Sequence, residues 1–285
     1  MPTLRFALVD VFADTVLTGN PLVVVDGGDG LSNDVLADIA REFNQSETTF
    51  VLPGSGSVTR RLRSFTTGRA EVGGAGHNAL GAWWWLAHDG QVGPGDHVQQ
   101  IGADELPLRI ERDGDRLLVA MRQGVPVPAE QTVAASTIAP PLALEAGDIG
   151  AGRVVSTGTP HLLVPAADRQ TVDRAAPHAP ALKRVLAEAG AEGCYLYATD
   201  GPEPYARFFN PTVGLWEDPA TGTAAGPLAW WLVDTGALAG PGVEIEQGHA
   251  LGRPSRLRLR VDGTAVTLSG SAVLAAEGRI HVPAP

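Results

Sequence analysis

The sequence predicts an α+β fold of two pseudo-symmetric lobes, each a curled mixed β-sheet around a central apolar helix, and three observations carry that expectation. One pattern occurs twice, as AGHNALGAWWWLAHDG at 75–90 and as ATGTAAGPLAWWLVDTG at 220–236. A shift of 146 positions brings Gly76 onto Gly222, Ala79 onto Ala225, Trp84 onto Trp230, Trp85 onto Trp231, Leu86 onto Leu232 and Gly90 onto Gly236. A second echo, TGNP at 18–21 against TGTP at 157–160, has a similar shift of 139, as expected of loops that drift between two copies of one unit. Third, each copy reads as a glycine-rich loop running into a helix that is hydrophobic nearly all round, as in GAWWWLA, and such a helix must be enclosed. A chain of 285 residues has room for two lobes of roughly 140, each large enough for its own core.

The elements follow in order. Residues 4–12 and 21–26 are β-branched and aromatic runs separated by the turn signal TGNP, so two strands joined by a loop are expected. Ser32 can cap a helix through about Phe43, with Val35, Leu36, Ile39, Ala40 and Phe43 on one face. ETTFVL at 47–52 and VTRRLRSF at 58–65 read as paired strands around PGSGS, and a helix at 77–88 follows. QVGPGDH at 91–97 reads as a loop, with HVQQIG, LPLRIER and RLLVAMR alternating as strands after it. The segment 124–148, with four prolines and many alanines, is the linker candidate. That divides the chain into a first lobe at 1–124, open to completion by a C-terminal strand at about 275–285, and a second at 125–274.

The second half repeats the scheme. RVVSTGTPHLLVPA gives strand, turn and strand, residues 179–190 give a helix, and CYLYAT and YARFFN give strands. The loop GLWEDPATGT leads into a helix at 223–234, and VEIEQG, RLRLRVDG, AVTLSGSAVLAA and RIHV close the sheet. Trp83, Trp84 and Trp85 cannot all point into one core, so one ring is expected at a lobe or dimer interface, or as a cleft wall stacking on a planar substrate.

Composition narrows the function classes. With 44% hydrophobic and 19% charged residues the chain is globular, and its longest apolar run falls far short of the ~20 residues of a membrane span. A net charge of −11 argues against nucleic acid or an anionic membrane as partner, while leaving room for a local basic pocket. MPTLRFALVDVF lacks the marks of a secretory signal, so a cytoplasmic location is expected. The single cysteine, Cys194, excludes an internal disulfide and reads as a buried structural thiol in a strand.

Three polar positions stand beside strand ends or helix starts: Glu47, His77 and Asp218. Glu47, in NQSETTFVL, lies between Ser46 and an apolar strand, where desolvation could raise its pKa into an acid/base range; the simpler alternative is an exposed strand-end carboxylate. His77 could cap the helix, bind a substrate or relay a proton. Asp218, followed by Pro219, is what a helix N-cap and first-turn position would show, with a catalytic role as the alternative. His77 and Asp218 flank the two repeated turns, whose unpaired N–H groups suit an anion. If the turns face one another, both residues reach one cleft.

These residues sit in DVFADTVLTGNPLVVV at 10–25, NQSETTFV at 44–51, AGH at 75–77, STGTPHLLVP at 156–165, RFFNPTVGLWEDPATGTAAGPLA at 207–229 and QGHALGRPS at 247–255. In that order they make a chain that resembles the PhzF phenazine-biosynthesis family, within the diaminopimelate epimerase-like fold, over nearly its whole length. The resemblance implies a cofactor-free isomerase, with neither metal nor organic cofactor, that moves a proton along an allylic system of a dihydroaromatic amino acid. It implies that Glu47 is the acid/base, that Asp218 and His77 position substrate and assist, and that Ser46, Gly76, Gly222 and Thr223 hold its carboxylate and amino groups. Its known isomerase acts on trans-2,3-dihydro-3-hydroxyanthranilate, and relatives serve other secondary-metabolite routes, including alkylated proline formation. A homodimer is also implied. The related epimerases carry two cysteines in the glycine turns; here those places hold Gly76 and Asp218, which disfavours thiol-based racemisation. Where the family commonly has Pro or Ala followed by Thr after AGH, this chain has Asn78 and Ala79, so Asn78 joins the substrate-binding candidates and a non-phenazine substrate is open.

Other classes compete. Gly74-Ala-Gly76-His-Asn-Ala79 fits GxGxxA, the dinucleotide turn of an NAD(P)-dependent oxidoreductase, but GRAEV before it is a poor buried strand and the second copy lacks the pattern. A non-catalytic small-molecule-binding or scaffold role on the same fold is a second alternative. The seven histidines show no HxxxH or HxH spacing, which disfavours a metal hydrolase.

Overall fold

Two helices of opposite character organise the first half of the molecule. The structure, a computed structural model, describes residues 2–212 and 215–283, so Val213 and Gly214 of the long motif at 207–229 and the last two residues of the expected C-terminal strand lie outside the described residues. In chain order the first unit holds β1 (Thr3–Val11), β2 (Asn20–Asp26), α1 (Asn33–Phe43), β3 (Glu47–Pro53), β4 (Arg60–Thr66), β5 (Glu71–Val72), α2 (His77–His88), β6 (Gly95–Ile101), β7 (Asp104–Asp113) and β8 (Arg116–Arg122). The second holds β9 (Val127–Val133), α3 (Ala135–Ile138), β10 (Gly152–Ser156), β11 (Pro160–Pro165), α4 (Arg169–Arg174), α5 (Ala179–Ala189), β12 (Gly193–Ala198), β13 (Tyr205–Asn210), β14 (Leu215–Asp218), α6 (Gly222–Asp234), β15 (Gly242–Gln247), β16 (Ser255–Asp262) and β17 (Ala265–Gly270). β18 (Ala272–His281) then returns to pair with β1. The two compact units are residues 1–121 with 269–285, and residues 122–268.

α1 is amphipathic. The Ser32 hydroxyl accepts from the Val35 N–H at 3.3 Å, Asp34 and Arg41 complement the helix dipole at either end, and Asn44 ends the helix in the left-handed region. Its apolar face, Leu36, Ala37, Ile39 and Ala40, packs on Val23, Val25, Phe50 and Phe65 of the sheet. α2 has no polar face at all: every residue from Asn78 to Ala87 is buried. Its Gly81 lets the helix lie directly on β1 and β2, where an added Cβ would come within 2.6 Å of Val11 and 2.7 Å of Leu22. Since alternate strand residues face opposite ways, Phe50 and Thr48 of β3 point to α1, while Glu47 and Thr49 point to the face that α2 covers.

The pairing scheme of the first unit recurs in the second. β1–β2 antiparallel, β2–β3 parallel, β3–β4 and β4–β5 antiparallel, β4–β6 parallel and β6–β7 antiparallel match β10–β11, β11–β12, β12–β13, β13–β14, β13–β15 and β15–β16 in the same senses. β9 flanks β10 as β18 flanks β1. Starting from Pro21 on Pro160, the registers place Glu47 on Gly193, Phe65 on Phe209, Val72 on Asp218 and Ile101 on Gln247. The pair Val72 and Asp218 is separated by the same 146 positions as the two helix repeats, so sheet and helices agree independently.

Several expectations need correction. The segment 124–148 is not a linker: it forms β9 and α3, and Ile138, Ala139, Leu142 and Leu144 are part of the second unit's core. Proline and alanine there shape tight turns over a core rather than a tether. β6 begins at Gly95, so residues 95–97 belong to a strand and not to the loop, and 215–218 form β14 against β13 where a loop was expected. α4, too short to show a periodic pattern, was not foreseen. All three tryptophans are buried. Trp83 donates to Gln99 Oε1 at 2.8 Å, Trp84 stacks on His88 with centroids 4.8 Å apart, and the Arg5 guanidinium lies 5.8 Å from the Trp85 ring. None serves as a wall.

Gly81→Ala tests the close approach of α2. Alanine gains about 1 kcal/mol of helix propensity, whereas overpacking a filled core costs about 1–3 kcal/mol, so the variant is expected to be less stable in urea unfolding. A stabilised variant would contradict the packing.

Candidate functional site

Glu47 heads β3 on the face that α2 covers, one residue after Ser46. Ser46 Oγ, Glu47 Oε2 and Thr48 Oγ1, on three successive residues, are shielded from solvent with no hydrogen-bond partner among the described residues. Each such group costs about 1–3 kcal/mol if nothing binds it. Thr48 faces α1, so of the two strand residues only Glu47 presents its unpartnered oxygen on the face that α2 covers. Burial, with no compensating partner, pushes the Glu47 carboxyl up to about 7. The exposed strand-end alternative is therefore not what this carboxyl is.

The turn into α2 is organised by Asn78. Its Oδ1 accepts from the Gly76 N–H at 2.7 Å, and its Nδ2 donates to Gly74 O at 2.9 Å and to Ser64 Oγ at 3.1 Å. Ser64 Oγ in turn lies 2.9 Å from Thr49 Oγ1, two residues along β3 from Glu47. This chain of bonds ties the turn to the strand that carries Glu47. The Asn78 amide and the Gly76 N–H, both expected to meet a substrate, have partners within the loop and on Ser64. His77, the first residue of α2, is half-buried beside them.

In the second unit Asp218 ends β14 and is buried. It is not the helix N-cap, which is Thr221; the proline after it serves the turn between strand and helix. The Thr221 hydroxyl donates to Asp218 Oδ2 at 2.5 Å. Gly222 opens α6, and its carbonyl accepts from Gln123 Nε2 at 2.8 Å. Thr223 Oγ1 lies 3.1 Å from His161 Nε2, and burial lowers His161 to about 4, so this imidazole is neutral. Asp218, Gly222 and Thr223 thus share one strand–turn–helix connection, as Gly76, His77 and Asn78 share the other.

β14 is held by a buried ion pair. Arg207 Nε and one terminal nitrogen donate to the two oxygens of Glu217 at 2.9 and 2.7 Å. The other terminal nitrogen donates to the carbonyls of Val172, Asp173 and Ala175 at the end of α4, at 3.1, 3.1 and 2.8 Å. Every arm of the guanidinium has a partner, which a lysine could not supply. Sequence reading passed over Arg207, Glu217, His161, Thr221 and Gln247. All lie in or beside the quoted motifs, but a buried polar side chain and an exposed one look alike in a sequence.

Other features bear on the alternatives. β5, before the glycine turn, is two residues long, exposed to half-buried, and antiparallel to β4, which is not the buried parallel strand that a dinucleotide turn follows. Among the described residues no three His, Cys, Asp or Glu side chains gather to hold a metal ion. Cys194 is buried and its thiol is pushed up to about 12 by that burial, which removes it as a nucleophile. No helix among the described residues is long and apolar enough to cross a membrane.

Two outcomes are expected. A carboxyl raised from 4.5 to about 7 binds its proton more tightly folded than unfolded, so its contribution to stability falls as pH rises between those values. Glu47→Gln, which stays neutral, is expected to exceed the parent in stability by about 3 kcal/mol above pH 7 and to converge with it below pH 4.5, as read by urea unfolding. Glu217→Gln leaves the Arg207 charge buried without its counter-ion and is expected to cost about 3–5 kcal/mol at every pH from 6 to 8.

Comparison with known proteins agrees with this architecture. The model of a family described as phenazine biosynthesis-like protein, PhzC–PhzF, matches residues 9–278. The chain is 31% identical to the trans-2,3-dihydro-3-hydroxyanthranilate isomerase of Pseudomonas aeruginosa, over 98% of this chain and 99% of that protein. It is 33% identical to an uncharacterized isomerase of the same organism, over 96% and 97%. Among solved structures, a predicted epimerase from Pseudomonas aeruginosa superposes with a TM-score of 0.86 at 34% identity, covering 98% of this chain and all of that one. A PhzF-family protein of Bacillus anthracis has a TM-score of 0.87 at 24% identity, over 99% and 100%, and shares the fold. This α+β chain, with its two units of one pairing scheme, belongs to the PhzC–PhzF phenazine biosynthesis-like family.

Proposed function

We propose that the protein is a cofactor-independent isomerase that moves a proton along an allylic system of a small cyclic, amino-acid-like metabolite, with Glu47 as the acid/base. One observation carries the reading: a shielded, unpartnered carboxyl pushed up to about 7 at the head of β3. A group with that value is half ionised near neutral pH, so it can take a proton from carbon in one step and return it in the next without a large penalty either way. The relative that is a trans-2,3-dihydro-3-hydroxyanthranilate isomerase supports a substrate of this kind.

The step balances on Glu47 alone. Its carboxylate removes a proton from an allylic carbon, the electron pair of the broken C–H bond shifts along the conjugated system, and the same carboxyl protonates the far carbon. One carboxyl can serve both carbons on one face of a small ring. His77 assists the transfer, and Ser46, with its unpartnered hydroxyl, donates to the substrate. Asp218 accepts from the substrate's amino group, and Thr223 with the first turn of α6 holds its carboxylate.

Incubation in deuterated water with trans-2,3-dihydro-3-hydroxyanthranilate, and with related cyclic amino acids, tests this by NMR of carbon-bound protons. Isomerised product is expected, carrying solvent deuterium at the reprotonated carbon to the extent that the Glu47 carboxyl exchanges before returning its proton, with a kcat/KM that rises with pH through a midpoint near 7 as Glu47 becomes the base. Glu47→Gln is expected to lower exchange by about 10²–10⁴-fold or more with the fold intact. Undiminished isomerisation and exchange in that variant would sink the mechanism, and neither isomerisation nor exchange with any such compound would favour a binding role.

A further inference from the structure

We propose that Gln247 is a positioning residue: through Thr221 it sets the direction in which Asp218 receives its hydrogen bond, and so holds Asp218 as an acceptor. The inference rests on the reading of Asp218 as a substrate-facing group.

Gln247 is fully buried at the end of β15 and spends its amide on the β14–α6 connection and on Tyr195 of β12. Its Oε1 accepts from the Tyr195 hydroxyl at 2.9 Å and from the Thr221 N–H at 3.2 Å. Its Nε2 donates to the Asp218 carbonyl at 2.7 Å and to Thr221 Oγ1 at 3.1 Å. The amide cannot be flipped, because a backbone N–H can only donate and a backbone carbonyl can only accept. The rest follows in one direction. Thr221 Oγ1 already accepts from Gln247, so its own proton goes to Asp218 Oδ2 at 2.5 Å. Gln247 thus determines which way the hydroxyl turns.

The repeat shows that this network is not required by the fold. By the strand registers and the helix shift, the first unit has Ile101 where the second has Gln247, Val72 where it has Asp218, and Ala75 where it has Thr221. Three apolar positions of one unit have become three bonded polar groups in the other. A buried polar network costs more than an apolar core unless every member is satisfied, so its presence in one copy alone calls for a role there. The backbone is shaped to match. Gly248, next to Gln247, has φ +84, and an added Cβ would fall 2.6 Å from the Pro219 carbonyl and 2.3 Å from that of Arg253. Glycine lets β15 close directly on the residue that follows Asp218.

The test reads the carboxyl itself and needs no substrate, so its failure is distinct from failure of the proposed reaction. Asp218 is followed by carbon NMR in protein labelled at aspartate carboxyls, its signal assigned with Asp218→Asn, and titrated in parent, Thr221→Val, Thr221→Ser, Gln247→Leu and the double variant Gln247→Leu with Thr221→Val. Removing a donor from the charged form raises a carboxyl's titration midpoint. Thr221→Val is expected to raise that of Asp218 by a unit or more, and Thr221→Ser to leave it within a few tenths. Gln247→Leu is expected to raise it by a smaller amount in the parent and by nothing further when Thr221 is already valine. A purely structural Gln247 would give no shift, or the same shift on both backgrounds, and either overturns the proposal. Should Gln247→Leu not fold, Gln247→Met takes its place in the cycle, and an unmoved midpoint in Thr221→Val overturns the proposal on its own.

Discussion

A helix without a polar face has only its ends on which to carry chemistry. α2 and α6 are both enclosed along their length, α2 from Asn78 to Ala87 and α6 over most of its thirteen residues. Enclosure demands apolar sheet faces around each helix and a loop of small residues leading into the first turn. Both of these recur in the two units. What each unit can do is then decided at the short stretch of chain before the helix, where N–H groups stand open and side chains from neighbouring strands arrive.

Against this common frame the two copies differ in where they place their polar groups. The first has Glu47 at a position where the second has Gly193, whose missing side chain makes room for the Phe208 ring. The second has Asp218 and Gln247 where the first has Val72 and Ile101. The carboxylates are also treated in opposite ways. Glu47 is shielded and left without a partner among the described residues, which favours its protonated form near neutrality, whereas Asp218 receives a directed hydroxyl.

Such a site works against the fold that carries it. Shielding Glu47 sacrifices stability over the pH range in which its carboxyl ionises, and the Arg207–Glu217 pair needs all its partners to break even on desolvation. The polar groups that are fully satisfied, Asn78, Gln247 and Arg207, belong to the support of the connections. Ser46 Oγ and Glu47 Oε2 are among the buried atoms left without a hydrogen-bond partner among the described residues.

By itself the sequence determined what depends on local pattern: the Ser32 cap, the α2 boundaries, the strand pairs on either side of PGSGS, and the two-fold repeat, because periodicity and capping are written in neighbouring residues. Glu47, His77 and Asp218 were legible as candidates for the same reason, each standing at the edge of an apolar run. Tertiary structure alone decided what each polar group meets. It turned Asn78 inward to tie its own loop, took the capping role from Asp218 and gave it to Thr221, folded the proline-rich 124–148 into a strand and a core, and joined Gln247 to a threonine 26 positions away. Burial and hydrogen-bond partners come from residues distant along the chain, and pKa values follow burial and partners, so the electrostatic character of the site had no local signature to read.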